Sequence, residues 1–157
     1  MPNPPLDSDR DPRPPRATAE EFEQMVRDGL SQEFKFVFRV ESMAYGDVQL
    51  RTFFHESQLR PGGTISGPVL FTLADTALFA LTASVLGPDP MVVTTDLNLR
   101  FLRRPKPRDL LARARLLKAG RKLLVGEVDL FSDEDERVVA HAVGSYTRVD
   151  SKPKASS

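Results

Sequence analysis

Val69-Leu70-Phe71-Thr72-Leu73-Ala74-Asp75-Thr76-Ala77-Leu78-Phe79-Ala80-Leu81-Thr82-Ala83-Ser84-Val85-Leu86 is the most apolar stretch of the chain, and its reading decides the fold. Pro68 stands ahead of it, well placed in the first turn of a helix, and Gly87-Pro88-Asp89-Pro90 ends it. Val69, Leu70, Phe71, Leu73, Ala77, Leu78, Phe79, Leu81 and Val85 cover nearly every face of such a helix, and a helix apolar all round is a buried one. The stretch is near membrane-spanning length, but Asp75 sits inside it with Thr72, Thr76, Thr82 and Ser84. A central carboxylate is expensive in hydrocarbon. The expectation is therefore a helix buried in a soluble protein, with no membrane insertion.

Working outward from the helix, four strands are legible after it, at about 91–102, 109–118, 122–132 and 137–148. Arg103-Arg104-Pro105-Lys106-Pro107-Arg108, Ala119-Gly120-Arg121 and Ser132-Asp133-Glu134-Asp135-Glu136 connect them. Short links between consecutive strands mean antiparallel neighbours. Before the helix, Arg60-Pro61-Gly62-Gly63-Thr64-Ile65-Ser66-Gly67-Pro68 reads as a loop. Two strands precede it. Phe34, Phe36, Phe38 and Val40 point one way, with Lys35, Arg39 and Glu41 among the residues pointing the other, and Val48, Leu50, Thr52 and Phe54 repeat that two-residue period. Ala44-Tyr45-Gly46-Asp47 turns one strand into the other. Thr18-Ala19-Glu20-Glu21 reads as a capping box that opens a first helix over roughly 18–29. The order predicts an α+β fold: one antiparallel sheet of about five or six strands wrapped around a long buried central helix.

The chain has 157 residues, about one domain. Residues 1–16 hold six of the 13 prolines and read as a flexible tail; residues 17–150 form the domain and 151–157 a second flexible end. The N-terminus has no apolar core of a secretory signal. Lys and Arg (22) balance Asp and Glu (22), which gives no electrostatic reason to expect nucleic acid as a partner. The absence of cysteine removes disulfides, thiolate metal sites and a cysteine nucleophile, and fits a reducing, cytoplasmic setting. With only two histidines, His55 and His141, a histidine metal centre is not expected either.

Asp75 is the first candidate for chemistry. A carboxylate among hydrocarbon has to be paired, hydrogen-bonded or raised in pKa, and one kept for reactivity is a general base or nucleophile. The bland alternative is a structural aspartate bonded to nearby backbone. The second candidate is the loop before the helix. The first helical N–H groups lack intrahelical acceptors, and Gly67 admits a ligand close to the backbone, so a carbonyl oxygen there would be polarised. Gly-Gly and Gly-Pro are more commonly mere turn punctuation. Asp75 lies two turns beyond Gly67, ~12 Å along the axis, so only a neighbouring subunit could bring the two groups together. Ser66 lacks the flanking glycine spacing of a nucleophile elbow. Basic residues gather at Arg103–Arg108 and Lys118-Ala119-Gly120-Arg121-Lys122. They either blunt strand ends or hold a phosphate-bearing ligand.

Over residues 34–149 the sequence resembles the hotdog-fold acyl-CoA thioesterases of the phenylacetyl-CoA (PaaI-like) and 4-hydroxybenzoyl-CoA type. The resemblance rests on three segments in order. Ser66-Gly67-Pro68 through Leu73-Ala74-Asp75 stands where the family has His-Gly-Gly and a Leu-x-Asp stretch. Thr94-Thr95-Asp96-Leu97-Asn98-Leu99-Arg100-Phe101 resembles the strand after the family's helix, and Lys118-Ala119-Gly120-Arg121-Lys122 its Lys-x-Gly-Lys turn. The resemblance implies that Asp75 is the catalytic carboxylate and that the Gly67 N–H polarises the thioester carbonyl. It implies that Thr94 orients water, and that Phe101, Lys118, Gly120, Arg121 and Lys122 line the CoA site. It also implies a homodimer or dimer of dimers with sites between subunits, and no cofactor or metal beyond the CoA of the substrate. The family histidine is Ser66 here, its second glycine is Pro68, and an asparagine six residues earlier is Arg60. These departures motivate a second reading, a non-catalytic acyl-CoA-binding sensor. A hotdog hydratase ranks last, because neither histidine lies near the loop and helix. The acyl group itself is not specified by the sequence.

Overall fold

The computed structural model describes residues 11–29 and 36–149. The elements run α1 (Ala19–Gly29), β1 (Phe38–Ala44), β2 (Asp47–Thr52), a 3-10 turn (Glu56–Gln58), β3 (Leu59–Arg60), β4 (Thr64–Ile65), α2 (Gly67–Leu86), β5 (Val92–Phe101), β6 (Leu110–Ala119), β7 (Leu123–Ser132) and β8 (Val138–Arg148). The large sheet has six strands in the order β1-β2-β6-β7-β8-β5, with every neighbouring pair antiparallel. β3 and β4 form a separate two-stranded ribbon. α2 lies across one face of the large sheet, which is the single hotdog domain expected.

Two sheet glycines allow the close approach of α2. A Cβ at Gly126 would stand 2.5 Å from Cδ2 of Leu81, and one at Gly144 would stand 2.8 Å from Cδ1 of Leu78. Leu78 and Leu81 therefore sit directly on strand backbone, between Ala112, Ala114, Val128, Leu130 and Ala142, all fully buried. The ends of α2 are fixed locally. Pro68 lies in the first turn; Gly87 at φ 91° closes the other end, its N–H donating to Ala83 O at 2.9 Å. Ser84 Oγ accepts from Gly46 N–H at 3.2 Å, which ties the β1–β2 turn to the helix.

The capping box at α1 is present in both directions. Thr18 N–H donates to Glu21 Oε2 at 2.8 Å, and Glu21 N–H donates to Thr18 Oγ1 at 3.1 Å. Of the 1–16 tail expected from the prolines, residues 1–10 lie outside the described residues. Residues 11–16 run along the body: Arg16 N–H donates to Ser84 O at 2.9 Å and the Arg13 guanidinium sits 4.2 Å above the Tyr45 ring. Phe34 and residues 150–157 also fall outside the described residues.

Two expectations need correction. The loop over 60–68 contains the β3–β4 ribbon, pinned to the rest of the fold by Thr64 Oγ1 donating to Pro105 O at 3.2 Å. The central helix is also not buried all round. Its sheet covers Leu70, Leu73, Ala74, Ala77, Leu78 and Leu81, whereas Phe71 is 44% exposed and Thr72, Asp75, Thr76 and Phe79 are half-buried. These five residues recur at helical spacing and form one uncovered stripe.

Candidate active site

Asp75 sits on that uncovered stripe, midway along α2, so it is not sealed in hydrocarbon as expected. Its environment is built by the strands that face it. Thr94 of β5 and Leu124 of β7 both pair with Tyr146 of β8, so one cross-strand row runs under the carboxylate. Thr94 Oγ1 donates to Asp75 Oδ1 at 2.9 Å. The Tyr146 hydroxyl donates to the same Oδ1 and to the Asp75 carbonyl oxygen at 2.8 Å. Oδ2 accepts no hydrogen bond among the described residues. One carboxylate oxygen is thus clamped by two hydroxyls, and the other is left without a hydrogen-bond partner among the described residues.

Tyr146 was not among the residues singled out from the sequence. It is 2% exposed, and its phenol is pushed far above the usual tyrosine range, first by burial and then by the neighbouring Asp75 carboxylate. It therefore stays protonated and remains a donor. A tyrosine alternating with Gly144 and Ala142 on the inward face of β8 carries no signal of a role beyond core packing.

The start of α2 is built by the ribbon. Ser66 N–H donates to Gln58 O at 2.8 Å, which sets the angle at which the chain enters the helix. Ser66 is the N-cap, at φ −71° and ψ 151°, but its hydroxyl makes no cap bond. Pro68 has no N–H, and the Val69 N–H donates to Ser66 O at 3.2 Å. The Gly67 N–H finds no acceptor among the described residues, and it lies at the positive end of a 20-residue helix. The Phe101 ring lies over this point. A Cβ at Gly67 would come 3.3 Å from Phe101 Cζ, and Phe101 is 59% exposed.

Within the chain the predicted residues fall into two groups. Asp75 and Thr94 are in direct contact, and the turn carrying Lys118, Gly120, Arg121 and Lys122 belongs to the same end of the sheet. Thr147, next to Tyr146, donates from Oγ1 to Lys122 O at 2.9 Å, and Gly120 N–H closes the turn on Leu123 O at 2.8 Å. Lys118, Arg121 and Lys122 are exposed and form no ion pair among the described residues. Ser66, Gly67 and Phe101 make the second group, at the other end of β5, with Arg60 exposed on the nearby ribbon. The ~12 Å of helix between Gly67 and Asp75 keeps the groups apart.

The histidines are accounted for elsewhere. His55 caps the short 3-10 turn, accepting from the Ser57 N–H at 3.1 Å. His141 Nδ1 lies 2.6 Å from Asp129 Oδ1. Among the described residues no cluster of three or more His, Asp or Glu side chains is arranged to hold a metal ion.

The family profile described as thioesterase superfamily matches residues 62–139, which include Gly67, Asp75, Thr94, Phe101 and the basic turn. No curated protein matches the chain. Among solved structures, a candidate thioesterase from Silicibacter sp. is 38% identical, with a TM-score of 0.75 over 85% of this chain and 92% of that one. Zebrafish thioesterase superfamily member 2 is 25% identical, with a TM-score of 0.70 over 83% of this chain and 95% of that one. The Escherichia coli PaaI protein of the phenylacetic acid degradation operon shares the fold, with a TM-score of 0.71 over 83% of this chain and 93% of that one at 20% identity. On the family profile and the Silicibacter relative, the chain belongs to the thioesterase superfamily.

Proposed function

We propose that the protein hydrolyses an acyl-CoA thioester to the free acid and CoA. Asp75 acts as general base, and the Gly67 N–H of a neighbouring subunit polarises the carbonyl. The observation that carries this reading is the Asp75 carboxylate, with Oδ1 held by Thr94 and Tyr146 and Oδ2 open. Oδ2 takes a proton from water as the water oxygen bonds to the thioester carbonyl carbon. Negative charge moves onto the carbonyl oxygen, where an unpaired helix N–H stabilises it. Collapse of this intermediate breaks the C–S bond. CoA leaves as thiolate and recovers the proton from Asp75. Lys118, Arg121 and Lys122 supply the positive charge for the CoA phosphates.

The two halves of the site require self-association, as a homodimer or a dimer of dimers. Among the described residues β5 is bonded only to β8, which leaves its other edge unpaired over ten residues. α2 runs antiparallel to β5, with Gly67 at the Phe101 end and Asp75 at the Thr94 end. A two-fold axis near Leu97 that joins two β5 edges would set Thr94 opposite Phe101 of the partner subunit. Each Asp75 would then face Gly67 of the partner subunit.

Thiol release from a panel of acyl-CoAs, followed with a thiol-reactive dye, tests the reaction. Wild-type protein should release CoA, and Asp75→Asn should lower turnover by about 10²–10⁴-fold while its circular dichroism is unchanged. Full turnover by a folded Asp75→Asn protein overturns the assignment. Tight acyl-CoA binding by wild-type protein without thiol release would favour the sensor reading instead.

A further inference from the structure

The uncovered stripe of α2 does not stay open along its whole length. Phe79 is one turn beyond Asp75 on the same face, where side chains four apart are neighbours. There α1, which packs on β1, reaches it through Phe22. Phe22 of α1 is fully buried and meets Phe79 edge-on, with ring centroids 5.4 Å apart and planes at 78°. Phe38 lies on Phe22 at 6.0 Å, and Phe36 stacks on Phe38 at 5.9 Å. Four aromatic rings thus form one plug of side chains just past the carboxylate.

The plug is anchored. The capping box fixes the start of α1, and Glu23 Oε1 accepts from Val40 N–H at 2.7 Å, which ties the helix to the sheet edge. Met25 and Val26 pack on the core beside Phe22. The helix face leading to the plug offers no free hydroxyl. Thr72 and Thr76 donate their hydroxyls to Pro68 O at 2.9 Å and Thr72 O at 2.7 Å, so both threonine hydroxyls are occupied by the helix itself. An acyl chain suits this side of Asp75, and the CoA phosphates suit the basic turn.

We propose that α1 is the end wall of the acyl pocket, that Phe22 sets the acyl length it accepts, and that the substrates are compact acyl thioesters rather than long-chain fatty acyl ones. The proposal rests on the acyl-CoA reading above. Phe22 acts through the shape of the pocket and takes no part in the proton transfer.

The test uses two readouts on full-length wild type, Phe22→Ala and Phe22→Leu. The first is kcat/KM for acetyl-, butyryl-, octanoyl-, dodecanoyl- and hexadecanoyl-CoA. The second is the Kd of the matching S-alkyl-CoA thioethers, which cannot be hydrolysed. Wild type should prefer the short members in both. Phe22→Ala should raise the dodecanoyl-to-butyryl ratio of kcat/KM, and the corresponding ratio of affinities, about 10-fold or more, since each accommodated methylene strengthens binding about fourfold. Phe22→Leu, which keeps most of the apolar volume and a helix-favouring side chain, should shift both ratios in the same direction by less. It also carries the test if the alanine variant unfolds. An unchanged length profile in folded variants overturns the end-wall role and leaves the hydrolase reading standing. A length shift in thioether binding without turnover of any ester supports the end wall and overturns hydrolysis. A wild type that prefers hexadecanoyl-CoA, or that binds none of the thioethers, overturns the proposal.

Discussion

At the scale of single residues, Asp75 depends on how two hydroxyls hold it. Tyr146→Phe removes one donor from Oδ1 while keeping the ring that packs in the core. A hydrogen bond to a charged group is worth about 1.5–3 kcal/mol, so thermal unfolding should show a loss of that order and turnover of the folded variant should fall about 10–100-fold. A variant as active as wild type would remove Tyr146 from the site. The phenol also makes a pH prediction. Its folded-state pKa lies above the ordinary value of about 10. The neutral form is therefore favoured in the native protein. Its contribution to stability is fully present below about pH 10 and is lost as pH rises further. In an absorbance titration of the two tyrosines, Tyr146 should ionise only as the near-ultraviolet circular dichroism collapses. Ionisation of both phenols in a still-folded protein would contradict this. Asp75 as a candidate was legible in the sequence, because a carboxylate inside so apolar a run has few explanations. Its partner Tyr146 was not, because the pair is 71 positions apart and only the strand register brings them together.

At the scale of elements, α2 shows what periodicity can and cannot tell. Its existence and ends follow from an uninterrupted apolar run between Pro68 and Gly87. Which stripe stays uncovered does not. Phe71 and Leu70 are chemically alike, yet one is 44% exposed and the other 2%. Only the position of the sheet decides between them. The β3–β4 ribbon was missed because its strands are two residues each, too short for any alternation to register. The sheet fixes α2 through Gly144 and Gly126. Gly144→Ala would put a methyl 2.8 Å from Leu78 Cδ1 and 3.1 Å from Asp96 O, so the helix or β5 must shift. Overpacking of this kind costs about 1–3 kcal/mol. Denaturant unfolding should show that loss, and turnover should fall with it, because Asp75 rides on the displaced helix. Unchanged stability would mean that the helix has room to spare.

At the scale of the whole molecule, the residues of the proposed site fall into two groups at opposite ends of β5. The single-domain α+β architecture was legible from the order of elements and the short links between strands. The proposed dimer is not written in either half alone. It rests on the antiparallel run of α2 and β5, which keeps the Gly67 N–H and the Asp75 carboxylate apart within one subunit. Complementation between two inactive variants tests this most directly. Gly67→Pro deletes the N–H, and the extended Ser66 before it, at ψ 151°, is compatible with a following proline. Asp75→Asn deletes the base. Co-expressed, the two chains form mixed dimers in which one site carries both lesions and the other carries neither. If the site is shared, the mixture should regain about a quarter of wild-type thiol release, although each variant alone is inactive. Mixed dimers that form, by mass analysis, yet release no more CoA than either parent would contradict the account.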